Sequence, residues 1–170
     1  MFLNGQTILI TGTYGFLGSN LAKIYSNQGA NIIGIGHGKF TNDELKKYGI
    51  NKFYSDDINL QNLIKCCRNP NKIIHCGSSA SVPYSISNPQ KDFERSVNST
   101  ISILEYMRVQ AKEARLVIPS SAAVYGQKTK MPISINDSLN PVLNTLSKLL
   151  IDPCMFASLS LVGRSFVNFQ

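Results

Sequence analysis

The chain has 170 residues, 43% hydrophobic and 16% charged, with 12 Gly, 7 Pro and no Trp. A single domain of this size buries about two-thirds of the surface its unfolded chain exposes, so it needs no disulfide or metal staple, and the apolar content excludes low-complexity disorder. No apolar run approaches the roughly 18 residues of a spanning helix, and Met1-Phe2-Leu3-Asn4-Gly5-Gln6 lacks the basic and apolar regions of a secretion signal, so a cytoplasmic protein with no membrane contact is expected.

The chain alternates short apolar runs with longer amphipathic ones, the pattern of a parallel sheet with crossover helices. Thr7-Ile8-Leu9-Ile10 reads as a first strand. A helix follows from about Phe16 to Gln28, with Leu17, Leu21 and Ile24 at core-facing spacing and Gly29 as its stop. Asn31–Ile35 is the second strand, Thr41–Tyr48 a short helix and Lys52–Tyr54 the third strand. Leu60–Arg68 is another helix, ended by Asn69-Pro70, and Lys72–His75 the fourth strand. A long helical stretch runs from about Gln90 to Ala114, before a fifth strand at Arg115–Ile118. A loop rich in Pro, Ser and Asn leads through Met131 to Pro141. A helix starting near Val142 is expected to break at Asp152-Pro153, because the residue before a proline is pushed out of helical geometry. Ser158–Phe169 supplies a candidate sixth strand. No internal repeat or linker interrupts this order, so residues 1–170 read as one α/β domain with an open, twisted sheet and right-handed crossovers.

Seventeen Lys+Arg against ten Asp+Glu give a net charge of +7, which suits an anionic ligand. The basic residues are scattered, with Lys46-Lys47 the only adjacent pair, which argues against nucleic acid; a nucleic-acid binder would lose affinity steeply with salt. Cys66, Cys67, Cys76 and Cys154 fit no zinc-ligand spacing and no CxxC pair, so reduced thiols and no metal site are expected.

The strongest local signal lies where the first strand meets the first helix. Gly12, Gly15 and Gly18 stand at i, i+3 and i+6 in Thr11-Gly12-Thr13-Tyr14-Gly15-Phe16-Leu17-Gly18. In a strand–turn–helix context the first glycine permits the tight turn, the second lets backbone approach a phosphate, and the third lets helix and strand pack closely. The free amides and positive end of the helix then face a pyrophosphate.

This loop resembles the cofactor loop of the extended short-chain dehydrogenase/reductases, and within them most resembles the nucleotide-sugar epimerases and dehydratases. Further segments fit in order over 11–148: Asp56-Asp57-Ile58 after the third strand, His75-Cys76-Gly77-Ser78-Ser79-Ala80-Ser81-Val82 after the fourth, Pro119-Ser120-Ser121-Ala122-Ala123-Val124-Tyr125-Gly126 after the fifth, and Ser147-Lys148 as the end of a Tyr-x-x-x-Lys motif. The resemblance implies a Rossmann-type doubly wound sheet binding NAD or NADP. Gly12, Tyr14, Gly15, Phe16, Leu17 and Gly18 would contact the cofactor, Asp57 would receive the adenine amino group beside Ile58, and Lys148 would hold the nicotinamide ribose. Ser121 and Lys148 would be catalytic, with Ser81, Ser121 and Tyr125 toward a nucleotide-sugar substrate. Standing alone, Asp57 also suits a helix N-cap, and His75, closing a buried strand, reads as structural.

The chain departs from the family in several places. Four residues before Lys148 the tyrosine position holds Asn144, and an amide cannot shuttle a proton near neutral pH, so the general base is missing. Gly36-His37-Gly38-Lys39 follows the second strand with no carboxylate, which leaves NADP open through His37 and Lys39. Ser96 stands where the family has asparagine. Relatives continue for roughly another domain, the substrate-binding lid, so a shortened, diverged relative is expected. Its alternative reading is a non-catalytic dinucleotide-binding or regulatory module. Family members often pair through helices near Lys148 and before the fifth strand, so a homodimer is a further expectation.

Overall fold

A computed structural model describes residues 2–78, 82–120, 122–127, 131–134, 136–138 and 140. Five strands form one parallel sheet: β1 (Thr7–Thr11), β2 (Asn31–Ile35), β3 (Lys52–Tyr54), β4 (Lys72–His75) and β5 (Arg115–Val117). Their order is β3-β2-β1-β4-β5. The chain therefore winds outward from β1 in one direction, then crosses to its other side at β4. Thr11 pairs with Ile35 on one flank and with His75 on the other, so three strands end level.

Side chains alternate across the sheet, as strand geometry requires. Ile8 and Ile10 of β1 pack with Ala22, Ile32 and Ile74 on one face. Leu9 packs with Ile35, Ile73, Leu63, Ile103 and Tyr106 on the other. Helices α1 (Phe16–Asn27) and α2 (Asn42–Tyr48) contact each other, and α3 (Leu60–Cys66) contacts α6 (Ser99–Val109). Thr41 caps α2 through a reciprocal capping box with Glu44, and Gly49 ends that helix in left-handed geometry.

The structure corrects three expectations. Leu17 and Ile24 do not face the core: they are 43% and 50% exposed, and α1 buries Gly18, Ser19 and Ala22 instead. Gly18 and Ala22 are one helical turn apart, and these small residues let the axis lie close to the chain beneath, which turns the larger residues to the flank. The helix at Leu60 ends at Cys66, because Cys67 turns extended and its carbonyl is taken by the buried hydroxyl of Tyr106, 2.7 Å away. The stretch before β5 is also not one uniform helix. It runs from α5 (Pro89–Phe93) through a π turn (Glu94–Asn98) into α6 and stops at Val109. A short α4 (Val82–Ser87) precedes it, and a 3-10 turn (Ala122–Tyr125) follows β5. The expected helix from Val142 and strand at Ser158–Phe169 lie outside the described residues. Among the described residues no helix is long and apolar enough to cross a membrane.

Candidate cofactor site

The site grows from the level ends of β1, β2 and β4. Gly12 leaves β1 with φ +66 and donates its N–H to the Ile35 carbonyl at 2.8 Å, tying the turn to the end of β2. A Cβ on Gly12 would stand 2.6 Å from the backbone nitrogen of Gly77, so no other residue fits between β1 and β4 here. Gly36, leaving β2, approaches from the other flank, where a Cβ would lie 3.2 Å from the Gly12 nitrogen. Gly18 is equally constrained, since its Cβ would overlap the Gly12 carbonyl.

Gly15 is different. It has an ordinary extended conformation as the residue before α1, and a Cβ there would meet only the Gly12 carbonyl oxygen, at 3.2 Å. Among the described residues, its two chain neighbours apart, no other atom lies within 4 Å of that Cβ position. No side chain caps α1, and its first turn carries no acidic residue. An open cradle under uncapped helix amides, at the positive end of a 12-residue helix, suits a diphosphate.

The surrounding groups are fixed from below. Thr11 Oγ1 lies 2.6 Å from His75 Nδ1 and accepts the Gly77 N–H at 3.3 Å. His75 Nε2 lies 3.1 Å from Thr100 Oγ1 at the start of α6. Burial pushes the His75 imidazole down to about 4, so it stays neutral, and its structural role holds. Ile58 covers Gly77, so the end of β4 and the loop after β3 close on the same turn.

Tyr14 is half-exposed, with its ring 4.9 Å from that of Phe40 in an edge-on contact, while Phe16 is 89% exposed on the rim. His37 and Asp57, from the loops after β2 and β3, meet at 2.5 Å between Nε2 and Oδ1. Asp57 is not the N-cap of α3; Asn59 is, accepting the Asn62 N–H at 2.9 Å. Lys39 is exposed two residues beyond His37. Tyr125 closes the 3-10 turn half-buried, and Gly126 follows with φ +68 where the Asn140 backbone leaves no room for a Cβ. Ser81, Ser121, Asn144 and Lys148 lie outside the described residues. Gly36 and Gly77 escape sequence reasoning as members of the turn, although the Gly-His-Gly run at 36–38 was a visible signal.

A parallel sheet in this strand order, with a glycine turn at the point where the winding reverses, is a Rossmann-type domain. The chain belongs to the NAD dependent epimerase/dehydratase family, whose sequence model matches residues 8–149. It is 32% identical over 148 residues to Protein CapI of Staphylococcus aureus, covering 81% of this chain and 44% of that one. With the UDP-glucose 4-epimerase of Lactobacillus helveticus it shares 30% identity over 143 residues, 79% of this chain and 41% of the relative. In fold it is similar to the crystal structure of UDP-glucose 4-epimerase from Brucella ovis in complex with NAD, with a TM-score of 0.80 at 24% identity, covering 94% of this chain and 49% of that one. The chain thus spans under half the length of each.

Proposed function

We propose that this chain is the dinucleotide-binding part of a cytoplasmic nucleotide-sugar epimerase or dehydratase, taking NAD or NADP at the glycine turn. The observation that carries this reading is the cradle over Gly15, open where the Cβ positions of Gly12 and Gly18 are filled by backbone. Gly12, Gly15 and Gly18 hold the pyrophosphate, with Tyr14, Phe16 and Leu17 around it. Asp57 takes the adenine amino group beside Ile58. Family membership and the NAD held by the Brucella ovis relative support the choice of ligand.

A bound nicotinamide supplies a transient hydride acceptor. In this scheme Lys148 orients the nicotinamide ribose, Ser121 orients a substrate hydroxyl, and Ser81 and Tyr125 line the sugar side. Asn144 supplies no phenolate base, a loss of about 10²–10⁴-fold where a general base is needed. That residue favours a second reading, in which the chain binds dinucleotide without turnover. Calorimetric titration of NAD⁺ and NADP⁺ into the chain tests the binding. Micromolar, salt-tolerant affinity supports the proposal, and no binding of either form overturns it. Turnover of nucleotide sugars by the chain and by Asn144→Tyr then separates the two readings.

A further inference from the structure

We propose that the pole of the sheet opposite the glycine turn, where the strands begin, is a docking face for an anionic lipid bilayer. Sequence alone expects no membrane contact, since no run is long enough to span, and finds the basic residues scattered. A contact with the bilayer surface needs no span, and the fold gathers what the sequence scatters.

In a parallel sheet every strand starts at the same end, so residues far apart in the chain meet there. Lys52 opens β3, Lys72 opens β4 and Arg115 opens β5. Lys72 and Arg115 are register partners, which sets two like charges side by side on adjacent strands. Burial, and then the Arg115 charge, hold Lys72 below the ordinary lysine value. Lys46 and Lys47 from the last turn of α2, and Lys65 from that of α3, reach the same pole. Cations at helix ends complement the exposed carbonyls. That reason does not extend to the three at the strand starts.

Little at this pole neutralises them. Of the described acidic residues, Glu105 and Glu113 stand toward this end, and Glu105 is held by Arg108. None of these lysines, nor Arg115, forms an ion pair among the described residues. Lys47, Lys52 and Lys72 instead lie over the rings of Tyr48, Tyr54 and Tyr25, at 5.4, 4.9 and 4.9 Å from the centroids. Such contacts settle the ammonium groups on the surface and leave their charge in place.

Two apolar side chains flank the charge. Phe2 is 97% exposed, although Leu3 beside it is anchored, packing in the cluster with Tyr25 and donating its N–H to the Gln28 carbonyl at 3.2 Å. Val109, the last residue of α6, is exposed on the other side of the sheet. An aromatic ring held out in water beside a cationic surface suits a bilayer interface, where the ring enters among the headgroups and the cations meet lipid phosphates. Nucleic acid fits less well. The other exposed rings, Tyr14, Phe16 and Phe93, lie away from this pole, so bases find no series of stacking platforms on it.

Flotation of the chain with vesicles tests this, comparing phosphatidylcholine alone with phosphatidylcholine mixed with phosphatidylglycerol. Affinity for the mixed vesicles should be at least about tenfold higher at low salt, and should disappear by roughly 0.5 M salt. Lys52→Gln combined with Arg115→Gln should weaken that binding about tenfold, while Lys91→Gln on α5 leaves it unchanged. Phe2→Ser should weaken it about tenfold and keep its salt dependence. All of these positions are exposed, and thermal unfolding checks that each variant keeps the fold. Equal binding to both vesicles, binding to neither, or a double variant that binds like wild type overturns the proposal. Capture of a single-stranded oligonucleotide by this pole in place of vesicles overturns the choice of partner.

Discussion

The hydroxyl of Thr11, last residue of β1, lies 2.6 Å from Nδ1 of His75, last residue of β4, in a site with no solvent access at Thr11. The network assigns the protons. Thr11 accepts from the Gly77 N–H and donates to Nδ1, while Nε2–H donates to Thr100, whose hydroxyl is 2.8 Å from the Ser96 carbonyl. Every polar group in this line is satisfied with a neutral imidazole.

Stability should therefore depend on pH through His75. Its pKa is lowered by burial from 6.5 to about 4, so below about 6.5 the unfolded chain takes up a proton that the folded one refuses. The stabilising difference is fully present above about 6.5 and is lost as pH falls toward 4, at up to about 1.4 kcal/mol per pH unit. Urea unfolding midpoints for wild type and His75→Gln across this range measure it. The wild-type curve should be the steeper, and parallel curves would remove His75 as the cause.

Two glycines of the turn separate folding from binding. Gly12→Ala combines φ +66 with a Cβ 2.6 Å from the Gly77 nitrogen, and is expected to cost about 2 kcal/mol or more. Gly15→Ala meets only one carbonyl oxygen at 3.2 Å, so its stability should stay within about 1 kcal/mol of wild type. Its dinucleotide affinity should nonetheless fall at least about tenfold, because the methyl group occupies the cradle. Thermal unfolding and calorimetry on both variants read the two effects apart.

Tyr106 is fully buried against Leu63, Ile73 and Ile103, with its hydroxyl on the Cys67 carbonyl. Tyr106→Phe keeps the ring and orphans that carbonyl. Equilibrium unfolding should show a loss of about 1–2 kcal/mol with an unchanged slope in denaturant.

The three thiols among the described residues should be inert in the native state. Burial pushes Cys66 up to about 12 and Cys76 to about 11, and raises Cys67 as well. The thiolate is the reacting form, so iodoacetamide at neutral pH should label these three at least about 100-fold more slowly than a free cysteine. Peptide mass mapping before and after adding urea checks this, and native labelling of Cys66 at the free rate would contradict its burial.

What the sequence made legible was what repeats locally. Strands such as Asn31–Ile35 and Lys72–His75 show as short apolar runs between turn residues, and their bounds agree with the structure. Thr41 and Glu44 mark their helix start by spacing alone. Leu17 and Ile24 misled because periodicity identifies a face without showing which residue size the neighbouring chain admits. The α4 helix left no mark, since Val82-Pro83-Tyr84-Ser85-Ile86-Ser87 has neither a cap signal nor a stripe. At the site, the glycine spacing was readable because strand, turn and helix are contiguous. The His37–Asp57 contact was not, because it joins residues 20 positions apart through an intervening helix and strand.

The π turn at Glu94–Asn98 has a further consequence for how this helix tolerates change. One extra residue is held in a single wide turn, and the hydroxyls of Ser99 and Thr100 take up the Arg95 and Ser96 carbonyls at 2.7 and 2.8 Å. Upstream and downstream segments are thus about 100° out of phase with a continuous α-helix. Deleting one residue there would straighten the rod and swing either Pro89–Phe93 or Thr100 away from its present neighbours. The wide turn works as a vernier, letting α5 keep its contacts with α4 and α6 its face to the sheet although the chain between them counts one residue too many.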